Sequence, residues 1–226
     1  SFSGVVAEDR IVADFALPGQ LARRLVLLRA GFMPERRLIN LSLRGHVGAG
    51  DRVLIAGFVT QGDSSLPLLV RGVGPGLEQF NISDTLSRPA LRLFSGAEVI
   101  AQNSGWFSAG NAGEIAAAAA RVDAFSLEPT VADAALLSAF TAGAYTAIIA
   151  GEEGATGIAL AEVYDARTGD ASANLVNLAG RGHVGAGENI LIGGFVLAGD
   201  APALVLVRGV GPALQAFDVS EPLANP

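Results

Sequence analysis

The apolar residues of this chain fall in short runs separated by glycine, aspartate and serine. "RVLIAGFV" (52–59) and "LPLLVRGV" (66–73) are rich in Val, Leu and Ile. Runs of this length between turn formers predict strands buried on at least one face. "ALRLFSGAEVIAQN" predicts a hairpin turning at Ser95-Gly96, and "DAALLSAF", "GAYTAIIAG" and "GIALAEVYDA" predict three further strands. One stretch differs: "NAGEIAAAAARVDAF" combines an alanine run, the best helix former, with Glu114 in the opening turn, where it complements the helix dipole. "GVGPGLEQF" predicts a turn and one short helical turn, with Pro75 near its start.

The pattern is duplicated. A shift of about 137 positions aligns Leu38–Pro89 with Leu175–Pro226 without a gap, and about 29 of the 52 pairs are identical. "RGHVGAG" stands at Arg44–Gly50 and again at Arg181–Gly187, and "LLVRGVGPGLEQFNIS" returns as "VLVRGVGPALQAFDVS". The expected organisation is an N-terminal arm carrying the last-strand part of a unit (1–37), a complete unit (38–174) and the first part of a second unit (175–226). The expected fold class is mainly β: β-sandwich units of jelly-roll or Ig-like type with one short Ala-rich helix, the second unit incomplete and holding about three strands.

A three-stranded fragment exposes an apolar face and an open edge, so the second copy needs a covering. The arm offers one. "RRLVLLRA" precedes "LINL" as "IALAEVYDA" precedes "LVNL", and "GVVAEDRIVADFALPG" carries another strand-like stretch. The arm residues expected at the contact are Val5, Val6, Ile11, Val12, Phe15, Leu25 and Leu27. The acceptor residues are Ile190, Ile192, Phe195, Leu204 and Leu206. Two geometries satisfy this pattern: closure within one chain, or donation of the arm to the next molecule. A heterologous contact that does not close on itself makes a filament.

The phrases "LINLSLRGHVGAGDRVLIAGFV", "LLVRGVGPGLEQF" and "GAYTAIIAGEEGATGIALAEVYD" resemble a β-sandwich repeat found in large secreted or cell-surface bacterial proteins. The resemblance spans Leu38 to Ala166 and Leu175 to Pro226. It implies an extracytoplasmic, architectural and noncatalytic setting and carries no catalytic residues to transfer.

Composition narrows the chemistry. The net charge is −7 and every basic side chain is arginine, scattered rather than striped, which argues against a nucleic-acid surface. No apolar run approaches the roughly 20 residues that span a bilayer. Cysteine is absent, which excludes disulfides and thiolate chemistry. The first residue, Ser1, is read as the product of signal-peptide removal, giving an extracellular or cell-surface location. His46 and His183 stand singly in their copies and read as turn or core histidines; a metal site would need further ligands, which the nearby Asp51 and Glu188 could supply only in a favourable fold. The glycine phrases miss both dinucleotide and P-loop spacing, and no nucleophile elbow is present. No enzyme activity, cofactor or metal is expected. Arg44, Arg71 and their copies Arg181 and Arg208 read as structural side chains bonded to loop carbonyls. Trp106 beside Phe107 reads first as a core or interface aromatic, with a ligand platform for sugar as the alternative. The expectation is therefore a secreted structural protein that polymerises with itself by strand donation. An adhesin or carbohydrate-binding module with a glycan partner is the alternative.

Overall fold

The computed structural model describes residues 2–6, 10–15, 23–28, 36–169, 172–187, 189–200 and 202–226, with side chains from Arg36 onward. The chain forms two compact units, Ser1–Arg36 with Gly199–Ala203, and Arg37–Ala198 with Leu204–Pro226.

In the smaller unit, β1 (Phe2–Val6), β2 (Arg10–Phe15) and β3 (Arg23–Leu28) form an antiparallel sheet with β2 in the middle. The register sets Val5 opposite Val12 and Ala13 opposite Leu25.

The larger unit is one antiparallel sheet. Its strands are β4 (Arg36–Val47), β5 (Leu54–Gln61), β6 (Leu66–Val73), β7 (Pro89–Ser95), β8 (Glu98–Asn103), β9 (Ala134–Phe140), β10 (Gly143–Gly151), β11 (Gly157–Asp165), β12 (Asn174–Arg181) and β13 (Ile192–Gly199). Their order is β8-β7-β10-β5-β12-β4-β11-β6-β9, with β13 pairing β4 off this path. The two end strands come together: Ala135 N donates to Asn103 Oδ1 (3.0 Å), and Trp106 N donates to Asp133 O (2.8 Å). The sheet is thus nearly closed.

Alternation along the strands builds two apolar layers. Leu54, Phe58, Leu66, Leu68, Leu91, Leu93 and Ile149 fill the first, where Phe58 meets Phe140 edge-on at 5.5 Å. The second lies on the other face of β6, where Leu69, Val73 and Leu77 pack with Trp106, Ile115 and Ala118. β6 is buried on both faces, which explains its unbroken "LPLLV" run. The helix α1 (Ala112–Arg121) covers this second layer, and its last residue, Arg121, donates from Nη2 to Ala166 O at 3.0 Å. The predicted hairpin turns at Gly96 (φ 60°), and the predicted short turn of helix runs Pro75–Phe80.

The two copies of the duplicated sequence exchange strands. β12, the counterpart of β4, pairs β5; β13, the counterpart of β5, pairs β4. His46 and His183 meet as an antiparallel bridge at the crossing. A Cβ on Gly45 would lie 2.9 Å from Leu191 Cδ1 and 3.2 Å from Leu54 Cδ1, and one on Gly182 would lie 2.8 and 3.0 Å from the same atoms. Absence of a side chain at these two positions therefore lets Leu54 and Leu191 close over the crossing. The repeated "RGHVGAG" marks the place where the copies meet each other.

Candidate assembly site

In the first copy β6 is held on both edges, by β11 and by β9. Arg71, at the centre of β6, is fully buried. Its Nη1 donates to Phe125 O at 2.7 Å, its guanidinium carbon sits 4.2 Å from the Phe125 ring centroid, and its Nη2 lies 2.8 Å from Glu162 Oε2 on β11. Tyr164 Oη donates to Glu162 Oε1 at 2.7 Å. Burial pushes the Glu162 carboxyl above its ordinary range, and the Arg71 charge opposes that rise. The Tyr164 phenol is pushed up by burial and by the neighbouring carboxylate. After β6 the chain turns at Gly74, and Asp133 receives the Gly74 and Gly76 N–H groups at 2.8 and 3.1 Å. Burial raises the Asp133 carboxyl as well, against the pull of those two hydrogen bonds.

The second copy repeats the sequence and the turn, but its β6 counterpart does not form a strand. Gly211 (φ −122°, ψ −89°) follows Gly74 (φ −124°, ψ −81°), and Asp218 (φ 59°) follows Asn81 (φ 58°). Glycine, proline and the left-handed cap are local instructions, and both copies obey them. Residues 203–210 nevertheless carry no strand assignment, against the expected third strand of this copy. The reason is the absence of flanking strands: among the described residues nothing pairs with 203–210, and β12 reaches β4 in its named ladder only through Leu175 opposite Leu38. Leu204 is 102% exposed, Leu206 83% and Val207 74%, whereas Leu69 and Val70, the counterparts of the last two, are 0% and 1% exposed. Arg208 is exposed where Arg71 is enclosed.

The remaining residues singled out by sequence are placed as follows. The backbones of Val5, Val6, Ile11, Val12, Phe15, Leu25 and Leu27 lie on β1, β2 and β3; their side chains are outside the described residues. Ile190, Ile192 and Phe195 are partly exposed beside or on β13, which already pairs β4. Leu204 and Leu206 are exposed further than these, as is Val207, which sequence reasoning left out; Val196 and Leu197 on β13 and Phe217 are exposed too. Trp106 is buried and donates from Nε1 to Glu128 O at 3.4 Å; the exposed ring is its neighbour Phe107. The tryptophan is drawn inward by the apolar layer under α1, so it offers no stacking platform to solvent. Glu152 and Glu153 form ion pairs with Arg88 at an exposed turn. Among the described residues no cluster of three metal-binding side chains occurs, and no helix is long and apolar enough to cross a membrane.

The fold and this site define a β-rich protein that presents one strand-forming sequence without its neighbours. Comparison with protein-family models, curated proteins and solved structures finds no match to the chain.

Proposed function

We propose that this chain is a noncatalytic, secreted structural protein that assembles head to tail into an extracellular filament. In this reading its units are β-sandwiches, and the N-terminal arm of one molecule adds strands to the second copy of the next. The observation that carries the reading is the contrast between β6 and residues 203–210: one sequence, enclosed in the first copy and bare in the second. Burial of Leu204, Leu206 and Val207 would contribute roughly 2 kcal/mol each, and an added strand would satisfy the backbone along the same stretch. The contact joins different surfaces of the two partners, so repetition propagates rather than closing as a two-fold dimer does.

Leu206→Asp tests this. The substitution places a charge at a position that is exposed in the isolated chain, so the monomer keeps its fold while the joint is lost. Sedimentation velocity is expected to show large assemblies for the wild type and a monomer of unchanged melting temperature for the variant. Equal assembly by the variant would contradict the reading.

A further inference from the structure

We infer that the strand received by the second copy is β2 of a second copy of this chain, with Asp14 set against Arg208. This rests on the filament reading above and specifies its joint.

The first copy shows what the receiving position requires. β11 lies between β4 and β6, with Glu162 opposite Arg71, Ala161 opposite Gly72 and Leu160 opposite Val73. The duplication carries these demands to Arg208, Gly209 and Val210, and the pairing edge of β4 to β12. The incoming strand must therefore bring a carboxylate to Arg208, a small residue to Gly209 and an apolar residue to Val210. An arginine enclosed without an opposing charge is strongly disfavoured. Among β1, β2 and β3 the only carboxylate is Asp14. Its neighbours complete the match: Val12-Ala13-Asp14-Phe15 reproduces Leu160-Ala161-Glu162-Val163 in type, residue by residue. β3, which precedes β4 as β11 precedes β12, would instead set Leu25 against Arg208. Charge complementarity selects β2 over position in the chain.

β2 pairs β1 and β3 within its own sheet, so donation requires it to leave both. The exchange gives up the ladders to β1 and β3, in whose register Asp14 stands opposite Arg24, and replaces them with the ladder to the second copy, the burial of 203–210 and Asp14 against Arg208.

Charge exchange tests the inference on the full chain, with the critical concentration for assembly as the readout. Asp14→Arg and Arg208→Asp are each expected to raise it about thirtyfold or more, the size of effect seen when one member of an enclosed pair is lost. The double variant D14R/R208D is expected to return to near the wild-type value, and Asp14→Glu to leave it unchanged. As a second measure, Val5→Cys with Val12→Cys locks β1 to β2, in a chain that has no other cysteine. Assembly is expected only after reduction. Wild-type filaments that tolerate both single reversals, or that form with the lock closed, would overturn the inference and leave the filament reading standing; so would loss of assembly in Leu25→Asp together with tolerance of Asp14→Asn. A wild-type chain that stays monomeric would overturn both.

Discussion

Gly74 and Gly50 occupy two turns of the first copy and serve them for different reasons. A Cβ on Gly74 would lie 1.9 Å from the backbone oxygen of Leu86, which cannot step aside as a side-chain tip can. Gly50 has φ +65° and open space around it, so a side chain there meets only the left-handed backbone penalty. Gly74→Ala is expected to cost about 3 kcal/mol or more and Gly50→Ala about 1 kcal/mol, read from urea unfolding midpoints. Glu162 carries a second residue-scale prediction. Its carboxyl is held above the ordinary 4.5 in the folded state, so its contribution to stability is full below that value and declines as pH rises through the elevated one. Glu162→Gln removes this titration. The wild type is therefore expected to lose stability relative to Glu162→Gln as pH rises above 4.5, a difference that paired thermal melts at several pH values measure. A gap that is constant or runs the other way would contradict the assigned direction.

Strands need neighbours, and the duplicated sequence displays this within one molecule. "LPLLVRGV" is a central strand, while "ALVLVRGV", with nearly the same residues, is not, because β11 and β9 flank only the first. Turns and caps were legible in sequence, and Gly74 and Gly211 share their backbone angles within 10°. The helix was legible too, from its alanine run. Strand status at 203–210 was not, since a strand depends on hydrogen-bonding partners that lie far away in sequence. A core place for Trp106 was legible as the first reading of a lone tryptophan beside phenylalanine, whereas the elements that bury it, α1 and β6, were not. Nor did the duplication disclose that the copies exchange strands: the same residues would serve side-by-side units equally well. Cysteines at His46 and His183 test the exchange, since antiparallel partners stand close enough for a disulfide. Oxidation is expected to yield an intramolecular bond, seen as a faster band without reductant. A disulfide-linked dimer, or no bond at all, would contradict the exchange.

At the scale of the molecule, the chain combines a nearly closed sheet, sufficient to bury its own core, with exposed apolar residues along β13 and, most fully, at 204–207. A net charge of −7 opposes nonspecific association, so the proposed filament requires a specific joint to overcome it. The arm and residues 203–210 form the two halves of that joint in the proposed filament. Negative-stain electron microscopy of the purified chain, beside a version lacking Ser1–Ala16 and hence β1 and β2, addresses the joint most directly. Filaments from the intact chain and monomers from the shortened one are the expected result. Monomers from both, or filaments from both, would contradict assembly through the arm.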